Sequence, residues 1–425
     1  MKFFLFAMIA VSLLYMIRRT LLDFLQNHAV IVAALALLTW KLAAGSIHQN
    51  ENNPWCYEIY FMTWNYGFVA QALPGTLISL FDWFFSEQDY KTLMVLILLA
   101  AFVLEICFWR FTEEKNTKKD LERFAFVYVV SPCFLTTFCD NPGMFGKLDV
   151  PVLICYLLCC MAVAKQRYAL VPVFALIGVL THPQFVFEYF PMLMILLLYE
   201  SFVEKRTNCL KWLVLTLGIC SITGFYIQFI GKVTVPLEVL ISEAQKRTDL
   251  EITGGSYLWE YYKEMPTVLK DVKEATVFSE SVPYLIYAAF LSLPVLLYLS
   301  EILRYVLRNS RERLEKLLMV LIPVSGGLVL VTMIVAVDWG RYVLAYFNAV
   351  FFLVFTFIQM RNSTIIKGIT HANQRMEQLL GTHWLTLMVI CSATCGIGGF
   401  GAGSFYDKVN PILNTVFQNM ANMIN

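Results

Sequence analysis

A few short polar turns break otherwise apolar sequence, and they hold the residues best suited to chemistry. They are Asp140-Asn141-Pro142-Gly143 followed by Gly146-Lys147-Leu148-Asp149; His182-Pro183-Gln184 with Glu188 after it; and Asp338-Trp339-Gly340-Arg341. Charged groups beside apolar spans are costly unless they are paired or face water, so each is a site candidate. The guanidinium of Arg341 presents a planar fork of donors that matches phosphate or pyrophosphate oxygens. Lys147 adds a second positive charge, and Trp339 shares the turn of Arg341. Asp149 or Asp338 could take the proton of an attacking hydroxyl, and His182 could serve instead. A phosphate leaving group already carries its charge, so it needs electrostatic help more than an acid. Taken singly, each group has a plainer reading: Asp149 caps its helix, Asp338 pairs with Arg341, and His182 meets a backbone carbonyl. Convergence of the whole set on one face favours a shared site.

The elements that must position these turns are membrane spans. About 20 apolar residues cross a bilayer, fewer where the ends are anchored. Such runs stand near 29–46, 92–111, 122–139, 150–165, 168–181, 190–204, 211–230, 282–302, 316–337, 342–360 and 383–400. The shorter run 3–17, with Lys2 before it and Arg18 and Arg19 after it, reads as a twelfth span, a signal anchor or an interfacial helix. The expected fold is an all-α integral membrane protein, a single polytopic domain over 1–425 with eleven or twelve transmembrane helices. Lys and Arg gather in every second connection, as at Arg110, Lys115, Lys118, Lys119 and Arg123, at Lys205, Arg206 and Lys211, and at Arg304, Arg308, Arg311, Arg313 and Lys316. Short basic loops resist translocation, so these connections are cytoplasmic and the polar turns lie on the other face. Composition agrees: the chain is 59% hydrophobic and 15% charged, against about 25% charged residues in a typical soluble domain. A net charge of +1 excludes a generally basic nucleic-acid binder.

Two of the external connections are long, 47–91 and 231–281. The first carries Glu58, Tyr66 and further Trp, Tyr, Asp and Glu residues, and the second carries Trp259 among Tyr, Asp and Glu. Rings stack on the CH faces of sugars and carboxylates accept hydroxyl hydrogen bonds, so Glu58, Tyr66, Trp259 and Asp140 are candidate saccharide contacts. An aromatic belt at the membrane interface would explain the rings but not the carboxylates among them. The tail 402–425 has helical amphipathic spacing and is expected to lie along the outer interface. Gly396, Gly398, Gly399, Gly401 and Gly403 end an apolar run with no Lys-Ser or Lys-Thr after them, which points to helix packing and not a phosphate loop. The 11 cysteines lie mostly within spans, without metal-ligand spacing, and read as packing residues.

The layout resembles the multi-spanning glycosyltransferases of the GT-C type, and more closely bacterial membrane proteins that include surface-polysaccharide polymerases. The resemblance is carried by Tyr66-Gly67-Phe68 leading to Gly75, by Gly146-Lys147-Leu148-Asp149, by His182, and by Asp338-Trp339-Gly340-Arg341, in that order over most of the chain. The chain departs from that pattern at Ala70-Gln71-Ala72, where a basic pair is expected, at Lys147 in place of Arg, and at Pro183 in place of Glu. The resemblance implies a site on the non-cytoplasmic side of a bacterial inner membrane, acting on a polyprenyl-phosphate-linked or polyprenyl-pyrophosphate-linked saccharide. It also implies other envelope polysaccharide-assembly proteins as partners. No Asp-x-Asp pair fixes a metal in the first loop, so a divalent cation stays an open expectation and no other cofactor is expected. The rival class is a transporter or flippase of a lipid-linked saccharide, in which the same charges line a pathway. No internal repeat marks related halves.

Overall fold

The computed structural model describes residues 30, 32–36, 39, 54–81, 84–111, 114–131, 133–134, 146–255, 270, 278–335 and 339–394. Among these residues there is no strand. After a helical turn at Pro54–Tyr57 the helices are α1 Leu73–Ser79, α2 Glu87–Phe108, α3 Lys115–Val130, α4 Asp149–Ala164, α5 Val171–Thr181, α6 Phe185–Glu188, α7 Phe190–Leu198, α8 Thr207–Phe229, α9 Leu237–Gln245, α10 Phe278–Asn309, α11 Arg313–Val335, α12 Trp339–Gln359, α13 Ser363–Leu380 and α14 Trp384–Thr394.

Local sequence explains where the helices begin and end. Ser86 opens α2 with a capping box: its hydroxyl accepts from the Asp89 N–H (3.2 Å) while the Asp89 carboxylate accepts from the Ser86 N–H (3.0 Å). Proline stands in the first turns of α5 and α7, where its missing N–H costs nothing. The span expected at 122–139 is instead a helix from Lys115 that stops at Val130. Pro132 follows, and the residue before a proline is driven out of the helical region, as the extended backbone of Ser131 shows.

Among the described residues three helices are long and apolar enough to cross a membrane: Glu87–Phe108, Thr207–Phe229 and Arg341–Gln359. The helices Asp149–Ala164, Tyr168–Thr181 and Phe190–Val203 are apolar but shorter. Helix α4 lies at the centre, against α2, α5, α7 and α12, and is buried almost all round. Its Cys155, Cys159 and Cys160 are free and buried, in keeping with their reading as packing residues. On another side α3 and α12 interlock through the rings of Phe124, Tyr128, Phe351, Phe352 and Phe355.

The connection 361–382, basic at Arg361, Lys367 and Arg375, holds α13, an amphipathic helix that buries Ile365, Ile369, Ala372 and Met376 against α10 and α3. Asn373 ties it down, donating to the Asp120 carboxylate (3.0 Å) and accepting from the Tyr298 hydroxyl (2.8 Å). The two long loops contain the short helices α1 and α9 as well as 3₁₀ turns at Glu58–Phe61 and Trp64–Tyr66.

The connections separate into two ends. At one, Gln359 donates to the carbonyls of Phe108 and Arg110. There too Asn362 donates to the Tyr199 hydroxyl, and Lys205 lies 3.8 Å from Glu312. The basic connections after α2, α7, α10 and α12 therefore meet at this end. At the other end lie the turns at 146–149 and 182–188, the start of α12 and the described parts of both long loops.

Candidate functional site

The site begins at the turn into α4. Gly146 has φ +97°, and a Cβ there would stand 1.6 Å from the Tyr90 hydroxyl, so only glycine lets the chain pass over α2 and deliver Asp149 to the helix start. The carboxylate of Asp149 does not cap α4. Its two oxygens accept from Arg341 Nε (3.0 Å) and Nη2 (2.8 Å), a parallel two-point pair joining α4 to α12. Both side chains are deeply buried, Arg341 at 6% and Asp149 at 8% exposure. Asp149, 192 positions away, is thus a partner of Arg341, and the pairing of Asp338 with Arg341 that sequence proximity suggests lies outside the described residues.

Glu188, at the end of α6, stands within electrostatic reach of this pair. It is 3% exposed, and its Oε1 has no hydrogen-bond partner. Burial, reinforced by the negative charge of Asp149, pushes its carboxyl well above the ordinary carboxylate range, and the opposing pull of Arg341 does not reverse this. Burial thus favours the protonated form of Glu188 over the carboxylate. Beside it the Tyr189 hydroxyl is also buried without a partner, and the Tyr189 ring packs 5.1 Å from that of Tyr156.

His182 terminates α5 in extended backbone. Its Nδ1 accepts from the Gln184 N–H (3.1 Å). Nε2 lies 3.2 Å from the side-chain amide of Gln71, a residue held at φ +59°. His182 and Lys147 both stand within electrostatic reach of Asp149, so the turns at 146–149 and 182–188 and the start of α12 do converge.

The described parts of the two long loops bond to each other. A single Glu58 oxygen accepts from the Thr253 N–H (2.5 Å), the Thr253 hydroxyl (2.8 Å) and the Gly254 N–H (2.9 Å). Glu58 is fully buried, so it joins the loops and is not a surface carboxylate presented to a ligand. The Tyr66 carbonyl accepts from the N–H (2.8 Å) and hydroxyl (2.9 Å) of Thr234, and the Glu87 N–H donates to Asp249 (2.7 Å). Gly75 lets α1 lie directly on the first loop, since a Cβ there would come within 2.0 Å of the Met62 carbonyl.

Asp140, Asp338 and Trp259 lie outside the described residues, as do the segment 3–17, the glycines at 396–403 and the tail 402–425. Trp339 opens α12. Among the described residues no group of three or more His, Cys, Asp or Glu is assembled to hold a metal ion. Sequence reasoning underused Glu188. The available signal was a lone carboxylate within Phe185-Val186-Phe187-Glu188-Tyr189-Phe190. The buried Glu105, which accepts from the Tyr128 hydroxyl (2.7 Å), carried the same signal inside α2. No protein-family model matches this chain, and no match is found among curated proteins or solved structures.

Proposed function

We propose that this chain is a polytopic bacterial inner-membrane glycosyltransferase of GT-C character. On this reading it crosses the membrane eleven or twelve times and joins or polymerises polyprenyl-linked sugars for a surface polysaccharide. The observation that carries the reading is the buried Asp149–Arg341 fork with the buried, unpartnered Oε1 of Glu188 in its electrostatic reach, at the end of the bundle opposite the basic connections. Arg341 and Lys147 bind the donor phosphates, with Asp149 holding the guanidinium plane in place. In the transfer step the acceptor oxygen bonds to the anomeric carbon as the bond from that carbon to phosphate oxygen breaks. The acceptor proton passes to a base among Asp149, Asp338 and His182, and the lipid phosphate leaves as an anion stabilised by the cations. Asp140, Trp339, Trp259 and Tyr66 are assigned to the saccharide side of the site, and Glu58 to the clasp that shapes it.

The test is product formation from supplied polyprenyl-linked donor in detergent, where transport has no meaning. A new glycosidic bond, lost in Asp149→Asn and reduced in His182→Ala, supports the reading. Movement of the lipid between vesicle leaflets without a new bond would assign the chain to the transporter class instead.

A further inference from the structure

At the basic end, the turn between α4 and α5 faces the first turn of α8 across an open cleft of about 550 Å³. Arg167, Lys211, Asn208, Gln166 and Trp212 line it, and no carboxylate does. The nearby acid, Glu200, is buried and already taken by Arg206 (3.1 Å) and by the Tyr168 hydroxyl, so it does not neutralise the cleft. Among the described residues neither Arg167 nor Lys211 forms an ion pair, and the Lys211 ammonium sits 5.2 Å from the centre of the Trp212 ring. From the rim the surface continues as two apolar stripes. Leu170, Val173 and Ile177 are exposed along α5, and Leu210, Val214 and Leu217 along α8. Their spacing keeps each set on one helix face.

From this juxtaposition we propose that the cleft is a binding site for an anionic phospholipid, with its phosphate on Arg167 and Lys211, its headgroup hydroxyls on Asn208 and Gln166, and its chains along the stripes of α5 and α8. Basic clefts between spans on the cytoplasmic side suit such headgroups, and an indole at the rim marks interfacial depth. The inference rests on the membrane reading of the chain but not on glycosyl transfer.

Full-length protein in detergent is titrated with phosphatidylglycerol or phosphatidylcholine, and bound lipid is counted by native mass spectrometry. Wild type should prefer phosphatidylglycerol. Arg167→Gln with Lys211→Gln should weaken that binding by roughly 30-fold, about fivefold for each basic residue. A charge-matched pair at the same end but outside the cleft, Arg308→Gln with Lys367→Gln, should leave it near the wild-type value. Equal weakening by both pairs would mean diffuse attraction and overturn the site. Displacement of the lipid by millimolar inorganic phosphate would reduce the cleft to a simple anion site and overturn the lipid assignment. Release of the chain from membranes by alkaline carbonate would remove the membrane reading itself, a result distinct from lost lipid preference in a chain that stays in the membrane.

Discussion

Replacing Arg341 by Gln removes one partner of an ion pair in which both side chains are over nine-tenths buried. Asp149 then loses two charge-assisted hydrogen bonds, of 2.8 and 3.0 Å, and stays next to Glu188. Stranding one member of a buried pair costs about 3–5 kcal/mol. At about 1–2 °C per kcal/mol for a chain this long, the melting temperature should fall by about 3–10 °C. The double variant Asp149→Asn with Arg341→Gln removes both charges, so most of that loss should return. Thermal melts in detergent, followed by the monodisperse fraction, read the stability, and turnover on the same samples reads the function. If Arg341 also holds phosphate, the double variant melts near wild type yet turns over poorly. Arg341→Lys, which keeps the charge but not the fork, should lose about one to three decades of activity. A single Arg341→Gln variant that melts within about 1 °C of wild type would refute the assignment of a buried, coupled pair.

Glu188 gives a pH signature. Above its ordinary value of 4.5 the unfolded chain releases the Glu188 proton while the folded chain keeps it, so this group lowers stability progressively as pH rises toward its raised folded value. Glu188→Gln should therefore gain on wild type in melts as pH is raised above that point; a variant that falls behind would mean an ionised Glu188 paired with Arg341. Glu58→Ala removes the acceptor of three hydrogen bonds from the second loop, and at about 1–3 kcal/mol for the groups left unpaired it should open both loops to limited proteolysis. Gly75→Ala places a methyl against the Met62 carbonyl and should destabilise by about 1–3 kcal/mol, seen as a lower melting temperature. Single cysteines placed by Asn116→Cys, Thr207→Cys and Arg311→Cys, at exposed sites of the basic end, should be shielded from an impermeant thiol reagent in intact cells. Cysteines from Glu238→Cys and Lys246→Cys, exposed at the other end, should react in the same background cleared of native thiols.

The two-ended arrangement was legible because charge placement is a property of each connection by itself. The contacts of Gln359 with the 108–110 turn and of Lys205 with Glu312 bring together connections that the basic bias had grouped. The site was legible as residue types but not as partners. Asp149 and Arg341 were both singled out, yet no local spacing links positions 192 apart, and the neighbouring Asp338 offered an easier partner. Glu58 was seen as an acid in an aromatic loop, but its role as a clasp depends on backbone N–H groups at 253 and 254, to which side-chain patterns are blind. Helix α13 is a further case: Ile365, Ile369, Ala372 and Met376 form a stripe legible in sequence, while Lys367 and Arg375 on its polar face carry the basic bias of the connection.

The most direct test uses sealed vesicles of known orientation, loaded with polyprenyl-linked donor and given an acceptor that cannot cross the membrane. The account predicts a new glycosidic bond when the acceptor meets the face on which Lys246→Cys reacts with the impermeant reagent, and none when it meets the face carrying Arg311. Product only on the Arg311 face would put the chemistry at the wrong end of the bundle. Absence of product on both faces, with donor and acceptor shown to be competent for another glycosyltransferase, would contradict glycosyl transfer by this chain.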